Sequence, residues 1–166
     1  MENFEIKKVY RQEVSEMCFI GKKTYDWGAM CCQPGGLDVI EKYMNKEFKE
    51  RYEDFDAYLG LYRLKEGDTP EYFIGMFLPV NTPVLDGFVR FDFPKSTLGI
   101  CWVYGKEGDI HGKIGEVKKR LEVEGYKILP DKNNIIWAIE RDACPRFTTP
   151  DEKGNVITDV CYYIEK

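Results

Sequence analysis

Hydrophobic positions in the first half of the chain follow a strand period, then a helix period, then a strand period again. The segment FEIKKVYRQEVSEMCFIGKKTY (4–25) predicts a broken strand, and the Gly- and Pro-containing segment DWGAMCCQPGG (26–36) predicts a loop. Apolar residues at three- and four-residue steps predict one helix that begins near Leu37 and continues to about residue 55. Two strands follow, in DAYLGLYRL (56–64) and YFIGMFLPV (72–80).

The second half gives the same order of patterns. Two strands, GFVRFDFP (87–94) and STLGICWVYG (96–105), precede a helix predicted from about Ile110 to near Gly125. The run IIWAIERDA (135–143) then predicts a buried strand, and a polar loop separates it from a last strand, VITDVCYYIEK (156–166).

An offset of 78 residues lays the two halves over each other. AYLGLYR (57–63) then aligns without a gap on IIWAIER (135–141), which places Tyr62 at the position of Glu140. Self-similarity of this kind indicates an internal repeat. We therefore predict a single α+β domain (1–166) with two βαββ repeats, about 1–85 and about 86–166. They are expected to form one curved antiparallel sheet with two long helices on one face, and a cleft on the pseudo-twofold axis would be the natural pocket.

One carboxylate, Glu140, follows directly after the apolar residues 135–139. This run is β-branched and aromatic without polar alternation, which is typical of a strand that is buried on both faces. Burying an acid without a partner costs free energy. Either Arg141, Lys132 or solvent satisfies Glu140, or the carboxylate is kept for a cationic or polarisable ligand.

Charge and composition narrow the classes of partner. The net charge of −5, without a dense Lys/Arg cluster, argues against nucleic acid as a partner. The sequence shows neither a signal-peptide pattern nor an apolar run of membrane-spanning length, so we expect a cytoplasmic protein with no membrane partner. The six cysteines are then expected to be free thiols.

Metal chemistry finds little support in the sequence. The single histidine, His111, and the vicinal pair Cys31 and Cys32 do not make a metal-ligand pattern, so we expect no metal and no cofactor. His111 stands at the start of a predicted helix, where a cap neighbour or a solvent-facing residue is the expected role.

Four segments carry a resemblance to a known family: YFIGMFLPV (72–80), the long run 87–128, WAIER (137–141) and DVCYYIEK (159–166). They resemble the GyrI-like small-molecule-binding domains, which include the effector-binding domains of AraC- and MerR-type multidrug regulators and several stand-alone proteins. The resemblance covers nearly the whole chain and implies repeats of the SHS2 type. The end departs from the family pattern, because CYYIE (161–165) stands in place of a Tyr-Ile-Pro-like finish. We find no appended helix-turn-helix and expect a stand-alone member that does not bind DNA.

The resemblance implies a pocket between the repeats in which an acidic residue meets a flat organic cation among aromatic side chains. Glu140 is the position carried over. A carboxylate ringed by aromatic faces attracts a delocalised cation through its charge and through the ring quadrupoles. The aromatic candidates for ligand binding are Tyr58, Tyr62, Trp102, Tyr104, Tyr163 and Trp27. Each has core packing or a surface position as its alternative, and Trp27 could be a lid over the pocket.

The sequence therefore favours a protein that binds hydrophobic, cationic small organic molecules in an aromatic cleft with a central Glu, for sensing or sequestration of the multidrug type. Two alternatives use the same surface. Some stand-alone members of the family are linked to hydrolysis of reactive cyclopropane-type natural products, and Glu140 would then be the catalytic residue that positions or activates water. The chain could also be a protein-interaction module, as the family's name-bearing inhibitor of a topoisomerase suggests.

Overall fold

Eight strands form one antiparallel sheet in the computed structural model, which describes residues 2–51, 54 and 57–166. The strands are β1 (Phe4–Val14), β2 (Met17–Lys23), β3 (Leu59–Lys65), β4 (Glu71–Leu78), β5 (Val89–Phe93), β6 (Ser96–Gly105), β7 (Ile135–Arg141) and β8 (Val156–Ile164). The helices are α1 (Trp27–Cys32), α2 (Leu37–Glu41), α3 (Lys46–Arg51), α4 (Glu107–Ile110) and α5 (Ile114–Val123). The predicted α+β class is confirmed.

The strand order across the sheet is β1-β6-β8-β7-β3-β4-β2-β5. This order is symmetric about its centre. Counted outward from the centre, β7 matches β3, β8 matches β4, β6 matches β2 and β1 matches β5, so that each strand of the first half matches the strand four places later in the chain. The centre of this order is the junction of β3 and β7, where Leu61 pairs with Ile139. Each half contributes two strands, then helices, then two more strands, so the predicted βαββ unit lacked one strand. The segment predicted as a single broken strand, 4–25, holds both β1 and β2.

The first predicted long helix is interrupted. The region that begins at Leu37 forms α2 and α3, and Asn45 begins the second of them because its side chain accepts a hydrogen bond from the Phe48 N–H at 2.8 Å. The predicted positions Tyr52 and Phe55 lie outside the described residues. The segment predicted as a loop contains α1, which begins after Asp26, whose carboxylate accepts from the Ala29 N–H at 2.9 Å.

The second predicted helix is interrupted at Gly112, which separates α4 from α5. The Gly112 backbone has a φ of +77°, a left-handed conformation that ends a helix and that glycine adopts at little cost. Hydrophobic periodicity continues across this break, so the sequence pattern did not reveal it. Within the described residues, α5 is the longest helix at ten residues, and no helix is long and apolar enough to cross a bilayer.

Two apolar clusters pack helices against one face of the sheet. Met30 and Ile40 of α1 and α2 pack on the first half of the sheet, and Val117 and Leu121 of α5 pack on the second half. Tyr62 of β3 packs against both clusters and therefore lies where the two halves meet. In contrast, Phe48 of α3 belongs to the cluster on the opposite face.

The opposite face is strongly curved. The rings of Phe91 and Phe93 in β5, an edge strand, lie 4.9 and 5.2 Å from the ring of Trp137 in β7. Four strand spacings separate β5 from β7, and in a flat sheet they would place the strands roughly 19 Å apart. The sheet must therefore curl until its edge meets its centre, which encloses this second face around an aromatic core.

The backbones of β2 and β4 approach closely where Gly21 pairs with Gly75. A Cβ atom on Gly75 would lie 2.1 Å from the Ile20 carbonyl oxygen, and one on Gly21 would lie 2.2 Å from the Ile74 carbonyl oxygen. Because both obstacles are backbone atoms, no side-chain rotation relieves them. Glycine at these two positions therefore allows β2 and β4 to pair at this short distance.

We predict that Gly75→Ala lowers the free energy of unfolding by about 1–3 kcal/mol, because the two strands must separate to admit the methyl group. Gly115→Ala is the matched control: Gly115 lies in α5 with no atom within 4 Å of its added Cβ, so the helix gains stability by up to about 1 kcal/mol. Urea unfolding of both variants measures the difference. Equal effects in the two variants would show that the strands do not constrain Gly75.

Candidate functional site

Glu140 lies near the end of β7 on the face that the helices cover, and the residue is only 2% exposed. Its Oε1 atom accepts a hydrogen bond from the Tyr62 hydroxyl at 2.6 Å, and its Oε2 atom accepts one from the Gly112 N–H at 2.9 Å. Both donors are neutral. Among the described residues Glu140 takes part in no ion pair, so this interior carboxylate has hydrogen bonds but no countercharge.

Arg141, one of the predicted partners of Glu140, lies on the other face of the sheet, because successive strand residues point in opposite directions. It is fully buried, and its Nε atom donates to Asp159 at 2.9 Å. Arg146 binds the same carboxylate of Asp159 and also donates to Asp54. The charge of Arg141 is therefore balanced within its own network, and a pairing of Glu140 with Arg141 is wrong.

Three tyrosine rings form a row from the surface to Glu140. The Tyr62 ring meets the Tyr72 ring edge-on at 4.8 Å, and Tyr72 stacks in parallel on Tyr25 at 5.0 Å. Tyr25 is 75% exposed, whereas Tyr72 is 7% exposed. The Trp27 indole N–H donates to the Tyr72 hydroxyl at 3.0 Å and fixes this ring from the side of α1. The row connects the surface to the buried carboxylate through aromatic rings.

The absence of a side chain at Gly60 makes room for this row. Gly60 pairs with Glu140 in the β3–β7 register, and a Cβ atom there would lie 2.3 Å from the Tyr72 hydroxyl. Tyr72 therefore crosses the floor of the site over a glycine. Glycine at position 60 is therefore required for Tyr72 to take this place, since a Cβ atom there would collide with its ring.

Burial and the charge of Glu140 keep the tyrosines of the site protonated. Burial raises the pKa of Tyr62 well above its ordinary value, and the negative charge of Glu140 together with the hydrogen bond to it raises it further. The pKa of Tyr72 is raised by burial and by the charges of Glu140 and Asp142, against the opposing effect of the Trp27 hydrogen bond. Tyr62 thus stays a hydrogen-bond donor to Glu140 at any working pH.

A second carboxylate, Asp142, follows on the same face two residues after Glu140. Its Oδ1 atom accepts a hydrogen bond from the Thr158 hydroxyl at 2.8 Å and faces the His111 Nε2 atom at 3.4 Å. The hydrogen bond to Asp142 raises the pKa of His111, against the effect of burial, and the charge of Glu140 raises it further. His111 is the C-cap residue of α4 and is exposed, as the sequence predicted, and it is in addition a titratable partner of Asp142.

Three further residues that the sequence predicted lie at this site or its margin. Tyr62 contacts Glu140 directly, and Trp27 reaches the site through Tyr72. Tyr58 lies at the margin, where its hydroxyl donates to Glu41. These residues come from α1, from the segment before β3 and from β3 itself, so the site draws on the first half as well as on Glu140 of the second.

The other three predicted aromatics are not brought to Glu140. Trp102 packs in the cluster on the opposite face, where its indole N–H donates to the Tyr10 hydroxyl at 3.1 Å. Tyr163 is buried on that face and stacks on Phe93 at 5.3 Å. The hydroxyl of Tyr104 donates to Asp151 at 2.5 Å near the surface. In β6, Cys101 and Val103 face the helices, and alternation turns Trp102 and Tyr104 away from them.

Sequence reasoning missed Tyr72, Tyr25 and Gly112. A signal existed for Tyr72, because the short turn between β3 and β4 makes a hairpin that pairs Tyr62 with Tyr72. The role of Gly112 depends on where the turn between α4 and α5 lies relative to β7, and local sequence patterns do not predict that position.

The site is closed in this structure, since the Glu140 carboxylate is nearly inaccessible. Two open depressions, of about 470 and 360 Å³, lie instead around residues 2–5 and share Phe4 and Glu5 in their linings. Neither depression is lined by Glu140 or by the tyrosine row, and both are lined in part by acidic surface residues. Within residues 2–51, 54 and 57–166, no group of three or more His, Cys, Asp or Glu side chains is placed to hold a metal ion.

No protein-family model and no curated protein matches this chain. Solved structures do match its fold. A bacterial transcription regulation protein of Staphylococcus aureus MU50, so described, superposes with a TM-score of 0.57 at 14% identity over 96% of this chain and 99% of its own. SAV2435, in a complex with tetraphenylphosphonium, gives a TM-score of 0.61 at 14% identity over 96% of this chain and 94% of its own. The EcmrR C-terminal domain gives 0.56 at 11% identity over 96% and 98%.

These likenesses establish the fold. The chain shares its fold with this transcription regulation protein, with SAV2435 and with the EcmrR C-terminal domain, and the resemblance predicted from its segments is confirmed at the level of the fold.

We predict that Tyr62→Phe lowers the free energy of unfolding by about 1–3 kcal/mol, because one oxygen of a buried carboxylate loses its donor. Tyr104→Phe is the matched control, since it removes a hydroxyl that donates to the exposed carboxylate of Asp151. That change should stay within about 0.5 kcal/mol of wild type. Urea unfolding monitored by tryptophan fluorescence compares the two, and losses of similar size would contradict a special role of burial at Glu140.

Proposed function

We propose that this protein binds hydrophobic organic cations in the cleft at Glu140, for sensing or sequestration. One observation carries the proposal: a carboxylate that is 2% exposed is held by two neutral donors and forms no ion pair within the described residues. A buried charge without a countercharge is held at a cost in free energy. A ligand that brings a positive charge to Glu140 recovers part of that cost, whereas a neutral ligand does not.

The tyrosine row supports an aromatic or aryl-substituted cation. The faces of Tyr62 and Tyr72 adjoin the carboxylate, so a delocalised charge there gains both from the acid and from the ring quadrupoles. Tyr25, mostly exposed and stacked on Tyr72, holds a place that a flat ring of a ligand can take. The complex of SAV2435 with tetraphenylphosphonium supports this class of ligand, since that protein shares the fold.

We interpret the two halves of the chain as repeats, which accounts for the meeting of Tyr62 and Glu140. The offset of 78 residues makes Leu61 equivalent to Ile139, and these residues are also cross-strand partners. A pseudo-twofold axis through this pair places the next positions, Tyr62 and Glu140, diagonally across it on the same face. One half then supplies an aromatic donor and the other a charge, which gives an asymmetric site on a nearly symmetric frame.

We favour binding over hydrolysis because attraction of a cation depends on the charge of Glu140 and not on which groups donate hydrogen bonds to its oxygens. A carboxylate that activates water must instead direct an oxygen at that water. Both oxygens of Glu140 face donors of the protein itself. A cytoplasmic location and the lack of a nucleic-acid partner stay predictions.

We predict that Glu140→Gln weakens tetraphenylphosphonium binding at least about tenfold, because the charge is lost while the shape is kept. The amide suits the site, since its oxygen can accept from Gly112 and its NH₂ can donate to the Tyr62 hydroxyl. Isothermal titration calorimetry measures the affinity.

Glu124→Gln is the matched control, because it makes the same change in net charge at an exposed pair with Arg120. Its affinity should stay within about twofold of wild type. Triphenylphosphine oxide, a neutral aryl ligand, should bind wild type and Glu140→Gln alike. Equal affinity of wild type and Glu140→Gln for tetraphenylphosphonium would refute the countercharge role.

A further inference from the structure

Two consecutive residues between α4 and α5 bind the two carboxylates of the site. The Gly112 N–H donates to Glu140 at 2.9 Å, and the His111 Nε2 atom lies 3.4 Å from an oxygen of Asp142. Glu140 and Asp142 are two positions apart along the chain, so their side chains leave the same face roughly 7 Å apart. The turn at 111–112 therefore lies across the acidic end of β7, and it covers Glu140.

The positions of the two ring nitrogens favour a charged His111. The Nδ1 atom faces the backbone carbonyl oxygen of Glu107 at 3.2 Å, and the Nε2 atom faces the carboxylate of Asp142. Both partners are acceptors, and a neutral imidazole has only one N–H to donate. The imidazolium alone donates to both. Closure of the turn and protonation of the ring are thus favoured together.

The surroundings of the ring hold this arrangement in place. The Thr158 hydroxyl fixes the oxygen of Asp142 that His111 faces, and the Phe147 ring packs edge-on against the imidazole at 5.7 Å. The titratable groups that face His111 from β7 are Asp142 and Glu140, and both favour the charged ring. From α4 it meets the carbonyl of Glu107, which favours the charged ring as well.

The negative charge of Asp142 also acts on α1, on the other side of the cleft. Burial raises the pKa of the Cys31 thiol, and the negative charges of Asp142 and Glu41 raise it further. No positive group of α1 or α2 is among those that act on His111 in the described part of the chain. The imidazolium, when the ring is protonated, is therefore the cationic partner of Asp142.

We propose that His111 and Gly112 form a proton-operated latch, in which the imidazolium occupies the acidic end of the cleft until an organic cation displaces it. This inference rests on the proposed function and adds its regulation. A ligand can reach Glu140 only when Gly112 releases it, because the carboxylate is 2% exposed. Gly112 suits a moving joint, since its backbone φ is +77° and no atom lies within 4 Å of the place of a Cβ.

The latch couples ligand binding to pH with a definite sign. In the closed state the pKa of His111 lies above its ordinary value of 6.5, chiefly because of Asp142. When a cation displaces the ring from Asp142, the pKa of His111 returns toward that value and His111 loses a proton. Ligand affinity therefore rises as the pH increases from about 6.5 through the raised pKa, by up to about tenfold per pH unit. Below about pH 6.5 both states are protonated, and the dependence fades.

The closed latch can be tested without any ligand, because His111 is the only histidine of the chain. An NMR titration of its ring C–H protons should give a pKa above the ordinary value, and Asp142→Asn should bring it back down. The amide resonance of Gly112 should shift with the same midpoint in wild type. The latch would be overturned if Asp142→Asn left the pKa of His111 unchanged, or if the Gly112 amide resonance did not shift as His111 titrates.

The coupling to ligand is tested by the affinity for tetraphenylphosphonium between about pH 5.5 and about pH 8.5, in wild type and in His111→Gln. Wild type should bind more tightly as the pH rises and should release protons, seen as a dependence of the calorimetric heat on the ionisation enthalpy of the buffer. His111→Gln should show neither effect, because its amide does not titrate. The same pH slope in both proteins would contradict the coupling while leaving cation binding intact. Failure to bind at every pH would instead contradict the proposed function, and the NMR titration would still decide whether the turn is latched.

Discussion

The structure is organised around a negative charge that is buried without an ion-pair partner among the described residues. Glu140 satisfies its hydrogen-bonding capacity through Tyr62 and Gly112, but these donors carry no formal charge. The nearest guanidinium along the chain, that of Arg141, is directed to the other face by strand alternation, and Asp159 balances it there. The interior thus holds one balanced network and, on the other side of the same strand, one unbalanced acid. Removing water from an acid costs free energy, and we propose that a bound cation offsets part of this cost.

The elements around Glu140 follow from that constraint. Gly60 leaves space for Tyr72, Tyr72 links Tyr62 to the surface, and Trp27 fixes Tyr72 from α1. Because the acid lies where the two halves of the sheet join, helices from both halves border it, and either set could move without breaking the central strands. β3 and β7 are paired along their whole length at that junction. A ligand that reaches Glu140 must therefore displace a covering segment, and the turn at Gly112 is the one that touches the carboxylate.

The strands and the buried position of Glu140 could be predicted from the sequence, whereas the points at which the helices are interrupted could not. The sequence pattern located β3, β4, β5, β6, β7 and β8, because strands of a buried sheet carry dense apolar and aromatic residues. It missed the separation of α2 from α3 and of α4 from α5, since Asn45 and Gly112 interrupt the backbone while the apolar spacing continues. Glu140 and Tyr62 were found together because one offset aligned their strands. Trp102 and Tyr163 were predicted to lie beside Glu140 and Tyr62, but they lie on the opposite face of the sheet. Composition shows that an aromatic residue is present but not which face of the sheet its side chain occupies. The phase of each strand, set by its neighbours in the sheet, decides that.

The central claim is that an organic cation lies against Glu140 on the helix-covered face. Diffraction data collected at the arsenic absorption edge from crystals with tetraphenylarsonium would locate the charged centre of such a ligand directly. The account predicts an anomalous peak beside the Glu140 carboxylate, between the rings of Tyr62 and Tyr72, with Gly112 withdrawn from its hydrogen bond. A peak in the surface depressions around Phe4, or on the aromatic face around Trp137, with Glu140 still bound to Gly112, would contradict it.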